Sequence, residues 1–463
     1  MLSPIISDNY TLYNSERNNY RVDEKVNVNT AQQIERINRY FQIEQLKQNS
    51  DSIRDGFQES ILLSLRNSKN CMLPCFNTIA DESIRPEGSI IVIDIGGSTL
   101  RICIVQFEEG NTAICKVNRS WTIHDSNKHF SRSFFGWVIN KFRGVIDTND
   151  ELLKNASGRL RVGITWSFPI IQNKSARNGI VSDLGKGFSI SDEFRGEDLK
   201  VIFETCFDRE GIQIEVCSIV NDSASVLISG SYFNNSKIAL VQGTGMNSSF
   251  LIDSSYLSRF KRTVPGESVI INSEASFLGY HLFKYITPID LKLNSLWEKI
   301  SDYNLEPPHM TTSYGVFQPL ELLTAGRYIP ELVRLMAIEI GVLKMLTLYT
   351  EPYSLTGENL IRFYNKDLLV KVITDAVIER ASIVLVAYLK ALLRVLSIDT
   401  NTNYTTGNRT LTEISVVGSM LQYFPGYRAR VEALLPPTVT LTFLQDSSIY
   451  GAAIAAYVNE ARM

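Results

Sequence analysis

Ser89-Ile90-Ile91-Val92-Ile93-Asp94-Ile95-Gly96-Gly97-Ser98-Thr99-Leu100-Arg101 decides how this chain is read. Residues 90–93 are an unbroken β-branched run, the composition of a strand buried on both faces. The run ends in paired glycines, which let the backbone turn tightly, and RICIVQF (101–107) starts a second strand. At such a turn, backbone N–H groups and the Ser98 and Thr99 hydroxyls can face an anion. Asp94, at the strand end, is suited to orient a metal-bound water beside that anion. An ordinary hairpin would carry the same pattern.

The unit recurs further along. TAICKV (112–117) extends the first pair into a meander. KIALVQG (237–243) then runs through Gly243-Thr244-Gly245-Met246-Asn247 into NSSFLID (247–253). Two strand–glycine turn–strand units in one chain point to two phosphate-facing hairpins opposed across a cleft. Between them, QIEVCSIV (213–220) leads into Asn221-Asp222-Ser223. A carboxylate at a strand end is suited to take a hydroxyl proton while the neighbouring amide orients the acceptor. An Asp helix N-cap accounts for the same residues equally well. Glu274 in INSEASFLG and Glu331 in TAGRYIPELVRL are further candidates, Glu331 being also a plain first-turn helix glutamate.

Around these units lie strand-like runs at 161–168, 414–418 and 438–444. Helical patterns occupy about 331–349, 366–397 and 450–462, with amphipathic runs at 28–49 and 53–65. Strands and helices interleave twice over, so the class is α/β with two sheets. Residues 299–317 and 399–412 read as surface loops, and 1–25 as a loose tail.

Composition limits the function. A chain of 463 residues suggests two or three domains, and 44% hydrophobic residues exclude a wholly disordered protein. With 46 Lys plus Arg against 49 Asp plus Glu, the charge is −3, and no basic excess draws the chain to nucleic acid. The longest apolar stretch, Ala381 to Ile398, is interrupted by Lys390 and Arg394 and reads as a buried helix, not a membrane span. Six cysteines (71, 75, 103, 115, 206 and 217) are too sparse for a disulfide scaffold, and the first residues lack a signal pattern, so a cytoplasmic location is expected. Cys71 and Cys75 have no second pair or nearby histidine and read as buried thiols instead of a zinc site.

Taken in order, the segments from about residue 53 to 463 resemble the hexokinase family. Met72-Leu73-Pro74 resembles its MLP segment, and IDIGGSTLR its first phosphate motif, usually GGTNLR or GGTNFR. Trp166-Ser167-Phe168-Pro169 resembles FSFP, and Gly185-Lys186-Gly187-Phe188 the end of a stretch usually closing in TKGF. Asn221-Asp222-Ser223 resembles NDT, and GTGMN the second phosphate motif, GTGxN. Glu274 sits where the family has NxEWG, and Thr324 to Glu331 resembles SGYYLGE. Gly418-Ser419 resembles the adenosine segment, and Asp446-Ser447-Ser448 with Gly451-Ala452-Ala453 the closing DGSGxGAA.

The resemblance implies a two-domain, actin-like (ribonuclease H-like) sugar kinase with its cleft between a small and a large domain. Residues 89–222 and 446–463 would form the small domain, and 26–88 and 223–445 the large one. ATP and Mg²⁺ would be the cofactors. Asp222 would be the base for the sugar 6-hydroxyl, with Lys186 assisting. Ser167, Lys186, Asn221, Asn247, Glu274 and Glu331 would contact sugar. Gly96, Gly97, Ser98, Thr99 and Arg101 would face the ATP phosphates with Gly243, Thr244 and Gly245, and Gly418 and Ser419 would lie near adenosine. Asp94 would meet Mg²⁺ through water.

Departures from the family pattern bear on the sugar. Thr-Lys becomes Gly185-Lys186, Ala275-Ser276-Phe277 lacks the usual Trp or Tyr, GGTN becomes GGST and NDTVG becomes NDSAS. Smaller side chains admit a substituent larger than hydroxyl, such as a 2-acetamido group. The pattern is similar to fungal hexokinase-like N-acetylglucosamine kinases, which implies phosphorylation of that sugar. A general hexokinase for glucose, fructose or mannose is the alternative. A sugar-binding regulator working through protein partners is a third reading, disfavoured by the retained Asp222, Lys186, Asn247, Glu274 and Glu331.

Overall fold

The strands of the two principal sheets are, in chain order, β1 (Leu73–Cys75), β2 (Gly88–Ile95), β3 (Thr99–Glu108), β4 (Thr112–Thr122), β5 (Leu160–Trp166), β6 (Ile214–Asn221), β7 (Ile238–Gln242), β8 (Met246–Asp253), β9 (Ser268–Asn272), β10 (Thr412–Val417) and β11 (Val439–Phe443). The principal helices are α1 (Ser50–Asn67), α2 (Arg132–Thr148), α3 (Leu199–Arg209), α4 (Asp222–Asn234), α5 (Ile329–Glu339), α6 (Leu368–Val395) and α7 (Ser447–Ala461). This computed structural model describes residues 28–80, 87–108, 112–153, 158–168, 170–181, 188–297, 311–312, 315–342, 347–398 and 411–461. The expected tail 1–25, Gly185-Lys186, and most of the loops at 299–317 and 399–412 lie outside the described residues.

The first sheet has the order β6-β5-β2-β3-β4. β2, β3 and β4 are antiparallel neighbours, as the meander predicts, while β5 and β6 run parallel to β2. Asp94 stands opposite Arg101 in the β2–β3 register. The second sheet has the order β1-β9-β8-β7-β10-β11. Here β7 and β8 are an antiparallel pair around the second glycine turn, and β10 and β11 add parallel strands beyond β7.

Three apolar clusters hold these layers. One joins the second sheet to α1, α5 and α6, with Phe57, Leu240, Val333 and Tyr388 buried in it. A second lies between the first sheet and helices α2 and α3, built on Phe130, Phe135, Phe142, Trp166 and Phe203. The third contains Val92, Val105, Ala224, Leu227, Ala452 and Ala456, joining the first sheet to α4 and α7. Small residues let these two helices approach closely. A Cβ on Gly163 of β5 would come 2.6 Å from the Ala452 carbonyl oxygen, and one on Gly451 would run into the Ser225 carbonyl.

Between the sheets the chain is fixed by buried polar contacts. Asn77, just after β1, donates to the Ile219 carbonyl at 2.9 Å and accepts from the Ser218 hydroxyl at 2.7 Å and the Asn459 amide at 3.0 Å. It thereby ties the first crossing segment to β6 and α7. Among the described residues, no helix is long and apolar enough to cross a membrane. The 28-residue α6 is instead buried along most of its length.

Candidate active site

The end of β2 delivers Asp94 to a cleft of about 400 Å³ whose walls include Gly96, Ser98, Thr99, Ser167, Asp222 and Ser448, with Val241 and Val417 from the second sheet. Arg101 grips Asp94 Oδ2 through Nε at 2.8 Å and through a second nitrogen, and reaches Asp446 at 3.1 Å and Ser448 Oγ at 2.7 Å. Burial pushes the Asp94 carboxyl up, Arg101 opposes this, and the nearby Asp222 carboxylate adds to it. The Arg101 guanidinium is therefore committed to holding two carboxylates at the edge of the cleft.

The first glycine turn closes through Gly96 N–H to the Thr99 carbonyl at 2.9 Å, and Ile123 N–H braces it on the Ser98 carbonyl at 2.8 Å. The second is Gly243–Gly245, where Gly243 N–H donates to the Gly245 carbonyl at 3.0 Å. Gly418 follows β10 with φ +117°, and a Cβ there would strike the Gln242 backbone, so only glycine allows this approach. Gly418-Ser419 and Gly243–Gly245 are thereby brought side by side. Gly326 N–H donates to the Gly243 carbonyl at 2.8 Å, and Arg327 N–H to the Thr244 carbonyl at 3.0 Å.

Between the turns, α4 begins at Asp222. Its N-cap is Asn221, whose side chain accepts from Ser223 N–H at 3.0 Å; the expectation of an Asp cap thus transfers to the preceding amide. Asp222, half-buried at the first helical position, faces the cleft. A polar relay runs outward from here. Ser223 Oγ lies 2.8 Å from Asn221 Oδ1, 2.7 Å from Ser249 Oγ and 3.2 Å from Asn272 Oδ1. Asn272 in turn accepts from Asn247 at 2.9 Å and donates to Glu274 Oε1 at 2.9 Å. Glu274 has φ +45°, a conformation uncommon for a non-glycine residue and concentrated at functional sites. Asn221, Asp222, Asn247 and Glu274 therefore share one hydrogen-bonded assembly.

One expectation needs correction. Glu331 does not reach this assembly: at 3% exposure its carboxylate takes both prongs of Arg334, at 2.7 and 2.6 Å, and Tyr353 N–H at 2.8 Å. Its visible role is to neutralise the buried Arg334 guanidinium. Glu321, ten positions earlier, accepts from Met246 N–H at 2.9 Å beside the second glycine turn and Asn247. Pro319 starts the short helix Pro319–Thr324 and sets Glu321 in its first turn, as Pro330 does for Glu331, so the sequence does not separate the two. Ala275 and Ser276 are buried, and Gln318 donates to Ser276 Oγ at 2.8 Å. Lys186 is outside the described residues, so its relation to the cleft is not described.

Arg101 and Ser448 both hold Asp94 through Oδ2, at the wall of the cleft. Among the described residues, no group of three or more His, Cys, Asp or Glu side chains is arranged to bind a metal directly. This donor set suits a divalent ion carried by nucleotide phosphates and met through water.

A hexokinase family model matches residues 33–232, and a second matches 237–368 and 364–458, together covering most of the chain. N-acetylglucosamine kinase 1 of Candida albicans is 28% identical over 442 residues, spanning 84% of this chain and 86% of the relative. Hexokinase-1 of Saccharomyces cerevisiae is 26% identical over 266 residues, 56% of this chain and 51% of that protein. A hexokinase from Schistosoma mansoni, solved with glucose, matches the fold with a TM-score of 0.70 at 20% identity, covering 92% of this chain and 99% of its own.

Proposed function

The chain belongs to the hexokinase family of ATP-dependent sugar kinases, and from that premise we propose that it transfers the γ-phosphoryl group of ATP to the 6-hydroxyl of N-acetylglucosamine. The observation that supports the sugar assignment is identity at full span: the Candida N-acetylglucosamine kinase is 28% identical over 84% of this chain, against 24% over 81% for hexokinase-3 of Oryza sativa and 26% over 56% for the yeast hexokinase.

In this reading Asp222 accepts the hydroxyl proton as the new P–O bond forms and ADP departs. Asn221, Asn247, Glu274 and Ser167 orient the sugar, with Glu321 taking the part first expected of Glu331, and Lys186 assists. The turns at Gly96–Thr99 and Gly243–Gly245 offer backbone N–H groups to the phosphates, and Gly418-Ser419 borders adenosine. A divalent ion on the nucleotide, met by Asp94 through water, would neutralise charge on the phosphates. Residues 89–222 with 446–463 act as one domain and 26–88 with 223–445 as the other, closing over sugar to exclude water.

The test is ATP-dependent turnover, comparing N-acetylglucosamine with glucose by kcat/KM. A clear preference for N-acetylglucosamine is expected; a preference for glucose would return the chain to the general hexokinases. Asp222→Ala should abolish turnover with either sugar while sugar still binds.

A further inference from the structure

We propose that Tyr388 is a positioning residue for the sugar: its hydroxyl heads a buried chain of hydrogen bonds that fixes the Asn247 amide and the backbone turn at Glu274. The proposal rests on the reading that Asn247 and Glu274 contact the sugar. Tyr388 belongs to α6, and its ring is held edge-on against Phe57 of α1 with centroids 5.7 Å apart. Its hydroxyl lies 2.5 Å from Ser248 Oγ of β8, which in turn lies 2.8 Å from Ser273 Oγ just after β9. Tyr388, Ser248 and Ser273 are all fully buried.

The direction of this chain follows from counting protons. Each hydroxyl has one to give. Ser273 Oγ is 2.7 Å from the Ser248 carbonyl oxygen and 3.3 Å from Asn247 Oδ1, which already accepts from Ser248 N–H at 2.8 Å. Neither oxygen can donate, so the Ser273 proton goes to them. Ser273 must then accept from Ser248 Oγ, and Ser248 from Tyr388. Burial pushes the Tyr388 phenol up to about 12, against the bonds to Ser248 and Ser273, so it stays a donor throughout the neutral range.

Two groups are set by the chain. With the Asn247 oxygen held from behind, its nitrogen faces Asn272 Oδ1 at 2.9 Å, and Asn272 donates onward to Glu274 Oε1 at 2.9 Å. The Asn247 amide cannot flip without breaking bonds at both ends. Ser273 also brackets the turn at Glu274. Its hydroxyl accepts from Ala275 N–H at 3.1 Å, its N–H donates to the Ser248 carbonyl at 2.9 Å, and its carbonyl accepts from Met72 N–H at 2.9 Å. These bonds hold Glu274 in its left-handed conformation, φ +45°. Without the phenol hydroxyl, Ser248 loses its donor in a site closed to water. The Ser273 proton can then swing to Ser248 and release Asn247.

The experiment measures kcat, the KM values for sugar and ATP, and the melting temperature, using whichever of N-acetylglucosamine and glucose the chain turns over. The variants are Tyr388→Phe, Ser248→Ala, the two combined, and Asn247→Ala. Tyr388→Phe keeps the ring and its packing on Phe57. It is expected to raise sugar KM about 5- to 20-fold, with kcat and the KM for ATP within about twofold of wild type. Ser248→Ala breaks the same link from the other side and should raise sugar KM as much. The combined variant removes donor and acceptor together, so its melting temperature should match or exceed that of Ser248→Ala while sugar KM stays raised and the two effects do not add. Recovery of sugar KM along with the melting temperature would make the role purely structural and overturn the proposal. So would a wild-type sugar KM in Tyr388→Phe when Asn247→Ala raises it. A wild-type sugar KM in both overturns the assignment of Asn247 to sugar, and this proposal with it.

Discussion

At the scale of the residue, Glu321 and Glu331 separate two roles that look alike in a sequence. Both are first-turn glutamates following a proline. One accepts from the backbone beside a glycine turn, and the other neutralises a buried arginine. Their glutamine variants should therefore fail differently. Glu321→Gln removes a charged acceptor at the rim of the site, so kcat/KM for sugar should fall about 10- to 100-fold with little change in melting temperature. Glu331→Gln leaves Arg334 buried without its counter-charge, which should cost ~3–5 kcal/mol of stability, read by denaturant unfolding. Equal melting temperatures for the two variants would sink the distinction. Asp222, Asn221, Asn247 and Glu274 are legible in the sequence because each sits at the end of an apolar strand or next to a glycine turn. Glu321 is not, because what singles it out is Met246 N–H, a partner 75 positions away.

At the scale of the element, α1 docks on the short helical turn Tyr280–Tyr285 through one histidine. His281 Nε2 lies 3.0 Å from the Ile53 carbonyl, its ring meets Phe57 edge-on at 4.6 Å, and Gly56 leaves space for it. Burial pushes the imidazole down to about 4, the Ile53 carbonyl resists this, and Lys284 adds to it. A base with a folded value below its unfolded 6.5 favours the neutral form in the native state. Its stabilisation is therefore intact above about pH 6.5 and is lost as the pH falls towards 4, by roughly 3 kcal/mol in all. Unfolding free energy measured between pH 7 and 4 should fall more steeply in the native chain than in His281→Gln, and parallel curves would refute the assignment. Core strands such as β2 and β7 are legible from their continuous apolar runs. Helix α2 is not, because Gly136 and Gly144 break a pattern that only packing of Phe134, Phe135, Val138 and Phe142 against the first sheet restores. Strand β9 is hidden for a similar reason: only five residues long, it is defined by its neighbours β8 and β1.

At the scale of the whole molecule, the two sheets meet on the α4–α7 pair, and the site depends on how closely those helices lie. Asp222 opens α4, while Ser448 at the start of α7 holds Arg101 through its hydroxyl. The Ser448 carbonyl accepts from Ser225 at 2.6 Å and from Thr165 at 3.1 Å, so one residue links α4, α7 and the first sheet. Gly451, three residues further along α7, faces the Ser225 carbonyl with no room for a methyl group. Gly451→Ala must therefore push the helices apart, which should cost at least ~1–3 kcal/mol and move Asp222 relative to the Arg101–Asp94 pair. Gly136 on the outer helix α2 has open space around its Cβ position, so Gly136→Ala should be neutral or stabilising by up to ~1 kcal/mol. The diagnostic quantity is kcat measured well below the melting transition of each variant. Loss of kcat in Gly451→Ala with retention in Gly136→Ala would tie turnover to the helix spacing. Wild-type kcat in a destabilised Gly451→Ala would mean that the spacing serves stability alone.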